Sequence, residues 1–529
     1  MKTASPHVGS RNDKLLILLT VCMAALLLPL ALSGGAVATP AIGRALGGSP
    51  ASLTWVTNAY MLSFGSLLMA AGALADQFGR KRLFVIGLGG FVLSSFAISL
   101  SPSVFWLDIL RAVQGVVSAA SLAAGSAALA QEFDGHARTR AFSMLGTSFG
   151  IGLAFGPLLA GTLIEYFGWR SLFIVTGVIA LAAFVFGVPR MRESRDPDAA
   201  GLDYPGTIAF SATLVLFTTA IIQAPESGWG SPLIVGLLVL SAVMLAAFVI
   251  VETRTRRPML ELSLFRYVRF IGVQILPLGT CYSYILLVVM LPLRLIGAEG
   301  MSEMDSGLLM IALSAPMLVV PIAVSSLTRF ASAGVLSGIG FVIAAVGLYW
   351  LSVVDFSGDK SALLLPMLVI GIGTGMPWGL MDGLSVSVVP NERAGMASGI
   401  FGTTRVAGEG TGLAIGTAIL AAMANTSLAH LVPAGGAELE ARVAEAAQRL
   451  TNGDIAQAAA VLPEVSHHAL ALSYSNAFVG LLHVLIVITL LSAFCTFAFL
   501  SRTRTQDEAS GEDGTRAERG NAVDAARVL

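Results

Sequence analysis

The 529-residue chain is short of charge. Only 12% of its residues are Asp, Glu, Lys or Arg, where a soluble domain carries about 25%. Hydrophobic residues make up 55%, and mean hydropathy is +0.82. So few charges cannot cover the water-facing surface of a globule this size, which excludes a soluble fold and points to an integral membrane protein. Cysteine is almost missing. Cys22, Cys281 and Cys495 each lie inside an apolar run, away from any ligand spacing, which excludes a disulfide framework and a metal centre. The net charge of −1 gives no sign of nucleic-acid binding, and no nucleic-acid partner is expected. The soluble segments lack a nucleophile–base set and a phosphate-cradling loop, so an enzyme is the least expected class and no cofactor is implied.

What is plentiful is apolar sequence. The first run, from Leu15, contains Ala36-Val37-Ala38 and could pass for a cleaved secretion signal. It is too long for one, and is read as an uncleaved first helix. A spanning helix needs roughly 20 mostly apolar residues, and that rule places the first six spans at about 15–37, 52–72, 83–101, 104–130, 141–163 and 171–189. Two more fall at about 205–224 and 232–252. The last six fall at about 268–296, 306–327, 334–353, 362–389, 395–423 and 476–500. An even count puts both termini on one side of the bilayer.

Charge tests that count. With the N-terminus inside, about 23 of the 31 basic residues fall on the cytoplasmic side and about six outside, which is the bias expected of a correct topology in a plasma (inner) membrane. The resulting division has a cytoplasmic N-terminal segment (1–14), a six-helix bundle (15–189), two polar linkers around an inserted pair of helices (190–267), and a second six-helix bundle (268–500). The second bundle carries a long outer loop (424–475), and a polar tail (501–529) follows. Ala437 to Leu450 within the loop has the pattern of a short amphipathic helix, and a solvated loop is expected around it. The fold class expected is an all-α membrane protein of 14 helices.

One polar strip stands out between the second and third spans. Gly72 to Arg82 reads GALADQFGRKR. Gly72 and Gly79 suit a tight, close-packed turn. Asp76 can face the positive end of a neighbouring helix, and Arg80, Lys81 and Arg82 favour the cytoplasmic face. This strip resembles the loop signature of the major facilitator superfamily, G-x-L-A-D-x-x-G-R-K-x. The resemblance implies a transporter with a cytoplasmic gate in which Asp76 and Arg80 are the working pair. Six, two and six spans further resemble the fourteen-span drug:proton antiporters of that superfamily.

The fourth span holds Arg111 well inside an apolar helix, where a charge costs at least about 2.5–3.5 kcal/mol unless hydrated or paired. Asp108, one turn earlier, is an obvious partner. Arg111, Gln114 and Gly115 also resemble the R-x-x-Q-G motif of proton-coupled members, which ties the arginine to proton coupling. In the fifth span Gly152, Gly156 and Ala160 give small residues at four-residue spacing, and Pro157 bends the helix. Together with Gly161 they resemble the G-x-x-x-G-P-x-x-G-G signature of antiporters, which implies export. Ala160 stands where the first of the final glycines would be.

Span 13 carries Gly408, Gly412 and Gly416 at four-residue spacing. It also carries Arg405 and Glu409 one turn apart on one face, where they could neutralise each other. Asp382 lies near the cytoplasmic end of span 12. The first-span acid usual in fourteen-span antiporters is Ala31 here, so a proton must ride on Glu409, Asp382 or Asp108. Its absence also argues against cationic substrates.

The reading is a proton-driven exporter of small apolar or amphipathic compounds, working by alternating access as a monomer. Its partners are the substrate, protons and the lipid bilayer; the proton gradient takes the place of a cofactor. Asn58, Met61, Gln114, Tyr282, Tyr284, Met376 and Trp378 are candidate substrate contacts, offering amide, sulfur and aromatic surfaces. An uptake carrier for a metabolite and a transport-inactive sensor or scaffold are the alternatives.

Overall fold

A computed structural model describes residues 11–133, 135–195, 203–255, 262–356, 358–389, 394–432 and 436–501. The segment before residue 11, stretches 196–202 and 256–261 of the linkers, Arg393 and the tail after Ser501 lie outside the described residues. The first six helices are α1 (Arg11–Leu46), α2 (Pro50–Phe78), α3 (Arg80–Ser99), α4 (Val104–Glu132), α5 (Gly135–Phe167) and α6 (Trp169–Gly187). α7 (Tyr204–Ser227) and α8 (Pro232–Arg254) form a hairpin. The ninth span is broken into α9 (Val268–Thr280), a π-helical turn (Cys281–Ile285) and α10 (Leu286–Gly297). The tenth is α11 (Glu303–Ser314) with α12 (Pro316–Leu327). Next come α13 (Ala333–Val353), α14 (Leu364–Ser387), α15 (Ala394–Ala429), α16 (Ala437–Thr451), α17 (Ile455–Val461) and α18 (His467–Leu500).

Local chemistry sets these boundaries. Ser49 precedes Pro50 and accepts a hydrogen bond from Ser52 N; Ser231 precedes Pro232 and accepts from Ile234 N. A serine cap followed by proline satisfies one orphan N–H and removes another. Among the described residues, thirteen helical runs are long and apolar enough to cross a membrane. The fourteenth is α5, whose halves Met144–Gly152 and Phe155–Phe167 meet at 41°. Pro157 accounts for that bend, because its ring displaces the carbonyl one turn back and it has no N–H to donate.

Helices α1–α6 pack together as one bundle, and α9–α15 with α18 as a second, while α7 leans on both α2 and α15. The first core gathers Leu27, Phe84, Leu88 and Phe91; the second gathers Tyr284, Leu287, Leu313, Ile370 and Phe478. Val239, Leu245 and Phe494 remain on the outer surface, as a lipid-facing belt requires.

The face on which α1 begins is termed the near face, and the opposite one the far face. The two bundles are tied together at the far face. Arg44 pairs with Glu303 at 2.5 Å, Met304 N donates to Glu165 at 3.0 Å, and Asn452 reaches the Pro50 carbonyl. At the near face Asp382 is exposed and Asp76 half-exposed. Among the described residues, the polar ties between the bundles therefore lie at the far face.

The far-face segment differs from the loop expected there. α15 runs on to Ala429, α18 begins at His467, and α16 and α17 between them are docked on the bundles. Val443, Ala446, Ala447 and Leu450, all on one side of α16, are buried, and burying that stripe turns a solvated loop into packed structure.

Candidate functional site

The near-face strip folds as one glycine hinge between two helices. α2 continues through Asp76 to Phe78, and only Gly79 leaves helical geometry, with φ of 114°. A side chain there would also collide with Glu193. Gly72 departs from expectation: it lies inside α2 with open space around it, so no close packing requires it in this state. Asp76 Oδ1 accepts from Arg80 Nε at 3.1 Å and Nη2 at 2.9 Å, and Arg80 Nη1 donates to Gln131 Oε1 at 3.2 Å. Glu193, unremarked in the sequence, closes the turn: it accepts from Lys81 N at 3.2 Å and faces Arg82 at 3.6 Å. A carboxylate at the start of α3 also complements its dipole.

Arg111 sits fully buried inside the first bundle. Its Nε donates to the Val56 carbonyl of α2 at 2.8 Å, and its Nη1 to Gln114 Oε1 at 2.7 Å. Gln114 in turn donates to Ser95 of α3 at 2.9 Å. The guanidinium lies 4.4 Å from the Tyr60 ring centroid and abuts Gly35 of α1. One side chain thus engages α1, α2 and α4, and Gln114 extends the chain to α3. Gly115 explains the last letter of the motif, because a Cβ there would strike Ser63 and the Tyr60 carbonyl. The expected Asp108–Arg111 pair does not form. Arg111 points deeper, and Asp108 Oδ1 has no hydrogen-bond partner, lining instead a far-face cavity with Ser52, Trp55 and Phe105. Gln114 belongs to this buried chain rather than to a substrate surface.

The fifth-span motif is a packing seam. Side chains on Gly152 and Gly156 would strike Leu26 and Ser33 of α1, and one on Gly161 would strike the Glu303 backbone of α11. The Pro157 carbonyl lies against Gly307 of α11. The seam therefore runs from within the first bundle out to the junction between bundles.

In the second bundle, Glu409 is buried in α15, and its Oε1 has no hydrogen-bond partner. Arg405, one turn away, makes no contact ion pair with it. Arg405 Nη1 reaches Asp382 Oδ1 of α14 at 3.2 Å instead, with its guanidinium 5.9 Å from the Trp378 ring. Asp382 is 71% exposed at the near face. Behind Glu409 lies the π turn. Cys281 Sγ contacts the Glu409 carbonyl at 3.7 Å, and Gly412 leaves room for Cys281 and Tyr282. Pro277 lies one turn before it, and π turns concentrate at functional sites. Tyr284 is buried with a free hydroxyl, 6.4 Å from Trp378 between centroids.

Across the junction, Gly65 of α2 meets the Ala407 backbone, where a Cβ would fall 2.6 Å from its nitrogen, and Met61 lies against Gly410. Asn58 lines a small cavity at the same junction. The contacts thus set Asn58 and Met61 of the first bundle against the side that carries α15, with its Arg405 and Glu409, while Tyr282, Tyr284 and Trp378 pack within the second bundle. Met376 is also inside the second bundle. It packs on Gly340 of α13, turned away from the first bundle. Gly408 meets nothing, unlike Gly412 and Gly416.

The sequence reading also passed over Arg294. It is buried in α10 with Phe356 and Phe478 rings at 3.7 and 4.7 Å, Ser475 Oγ at 2.9 Å and Glu299 at 3.5 Å. Arginine inside an apolar run was the available signal.

The Major Facilitator Superfamily model matches residues 19–413. A tetracenomycin C resistance and export protein of Streptomyces glaucescens is 28% identical over 436 residues, covering 82% of this chain and 80% of that one. A puromycin resistance protein of Streptomyces alboniger is 35% identical, covering 72% of this chain and 76% of the other. A cephamycin export protein of Amycolatopsis lactamdurans is 34% identical, with 72% and 79% covered. Among solved structures, an inward-facing, unoccupied bacterial homologue of the lysosomal transporter Spinster superposes with a TM-score of 0.61. It is 15% identical, with 94% of this chain and all of that one covered. At that identity the likeness speaks for the fold alone.

Proposed function

The chain belongs to the Major Facilitator Superfamily, whose members are transporters, and is a multi-pass exporter of the secondary active type; we propose that protons drive it. In this reading the near face is cytoplasmic, both termini lie inside, and the membrane is the plasma membrane. The protein works as a monomer without a cofactor. Its cargo is small and apolar or amphipathic, bound between the bundles against Met61, Tyr282, Tyr284 and Trp378. Puromycin and tetracenomycin C, after the names of two relatives, are the first probes.

The observation that carries the proton step is the burial of Glu409 with an unpartnered oxygen at the junction of the bundles. A buried carboxylate with no hydrogen bond to its Oε1 is costly, which favours a proton on the group in this geometry. Arg405 stands one turn away, and α15 places both on one side. Two arrangements then exchange. With Glu409 protonated, Arg405 keeps Asp382; with Glu409 ionised, Arg405 turns to it and releases Asp382 to the near face. Substrate arriving from the cytoplasm displaces the proton, and the outward state takes up another. Ala31 needs no acid in such a scheme.

The sign of the coupling tests direction. Vesicles acidified inside should accumulate puromycin in exchange for outgoing protons, and vesicles acidified outside should not. Accumulation only in vesicles acidified outside would make the protein a proton-symporting uptake carrier. No pH-driven movement of any compound in a broad panel would leave the sensor or scaffold reading.

Asp76 supports cycling without touching cargo. It holds Arg80 at the hinge, a half-exposed pair worth under about 1 kcal/mol. Asp76→Asn should slow turnover about two- to fivefold with substrate KM unchanged, since 1.4 kcal/mol corresponds to a factor of ten. Initial-rate kinetics check this; a shifted KM with normal turnover would contradict it.

A further inference from the structure

We propose that α16 and α17 are the outer gate of the transport path, a cap carried by the second bundle and latched to the first through Asn452. This rests on the export reading for the meaning of inside and outside. Its basis is the contrast between the two sides of the cap.

Toward the second bundle the cap is built in. Val443, Ala447, Leu450, Ile455 and Leu462 share one core with Tyr474 and Phe478 of α18. Gly453, with φ of 77°, lies backbone on backbone against Gly297 at the end of α10. A side chain on either glycine would collide with the other strand of chain, so that seam has no slack. Interlocked apolar contacts of this kind do not part without exposing their surface.

Toward the first bundle the contacts are polar and few. Asn452 Nδ2 donates to the Pro50 carbonyl at 3.0 Å, although 402 residues separate them. Thr451 and Asn452 close a cavity of about 20 Å³ with Thr57 and Asn58 of α2 and Thr417 of α15. That is room for a single water. Asn58 is 1% exposed, and its Oδ1 is without a partner at this cavity. Gln448, also buried, closes a second small void against Thr54 and Ile222, and its Oε1 is likewise unpartnered. Hydrogen bonds at such a surface exchange for water at little net cost.

The cavity sits between α1 and α2 on one side and α10 and α15 on the other, beneath the cap. Cargo leaving the junction of the bundles must pass it. When the bundles separate at the far face, the apolar seam keeps the cap on the second bundle, and the cap's Asn452–Pro50 contact opens together with the Arg44–Glu303 and Met304–Glu165 ties. Asn452 is therefore a positioning residue that holds the outward-closed state.

The test uses full-length protein with its three cysteines replaced and Thr57→Cys added beneath the cap. In right-side-out vesicles without substrate, an impermeant maleimide should label this position slowly. Asn452→Ala should raise the labelling rate about fivefold, the effect of one hydrogen bond, and Asn452→Gln should recover part of the slow rate. A second protein, Pro50→Cys with Asn452→Cys joined by a short reducible bis-thiosulfonate, should lose puromycin export and regain it with reductant. Equal labelling with and without Asn452→Ala, or full export across the cross-link, would overturn the proposal. Faster labelling of Asn452→Ala with no pH-driven transport of any compound would leave the gate standing and remove the export reading instead.

Discussion

Glu409→Gln is expected to cut pH-driven transport at least about 100-fold, the lower end of what loss of a proton-transfer group costs. The substitution keeps volume and hydrogen-bonding shape while fixing the group as uncharged. Glu409 is buried with a free oxygen and makes no ion pair among the described residues, so the fold loses no partner by the change. Binding and rocking should persist, and counterflow exchange of labelled for unlabelled substrate at equal pH should stay within about twofold of wild type, the scatter expected where no contact is lost. Parallel assays with and without a pH gradient separate the two. Equal loss in both would make Glu409 structural. No loss in either would move the proton to Asp382 or Asp108.

Arg111→Met should produce the second large effect. The change retains length and removes the donors that hold the Val56 carbonyl and Gln114, together with the charge over Tyr60. Hydrogen bonds between membrane helices contribute about 0.6–2 kcal/mol each, so thermal stability should fall only modestly. Transport should fall much further, by about 30-fold or more, because Arg111 ties α4 to α1 and α2 and orients Gln114 toward α3, and small misplacements at a working junction are costly. Arg111→Lys should not rescue it, since an ammonium lacks the planar fork that reaches both acceptors. Thermal unfolding in detergent beside initial transport rates reads the split. A stability loss large enough to explain the transport loss would reduce Arg111 to a structural tie.

The parts of this architecture that were legible share a cause: each depends on residues close together in sequence. The spans follow from runs of apolar residues, the Gly79 hinge from a glycine within a charged strip, and the fifth-span seam from small residues at four-residue spacing. The amphipathic stripe of α16 was visible for the same reason. What the sequence left open was helix rotation and partnership across helices. Arg405 had Glu409 one turn away and Asp382 on another span, and only the packing of α14 against α15 decides for Asp382. Arg111 turned from Asp108 to a backbone carbonyl on α2, an acceptor that no side-chain pattern reveals. Met376 and Trp378 share a helix and an apolar cluster, yet Met376 packs on Gly340 of α13 while Trp378 also reaches the Tyr284 ring. The π turn at Cys281–Ile285 had one local sign, Pro277, and proline alone does not say how a helix will re-register. Where the stripe of α16 would dock was equally hidden, because the Pro50 carbonyl that meets this segment lies 402 residues before Asn452 in the chain.

The central claim is that substrate leaves as protons enter through Glu409. Purified protein in proteoliposomes enclosing a pH dye tests it without assuming which compartment is which, because both orientations are present and an imposed substrate gradient selects the flux. Adding a substrate found in a growth screen should move protons opposite to the substrate, in constant ratio to it, in wild-type protein and not in Glu409→Gln. Substrate movement with no accompanying proton flux in the wild type, or unchanged proton flux in Glu409→Gln, would contradict the account.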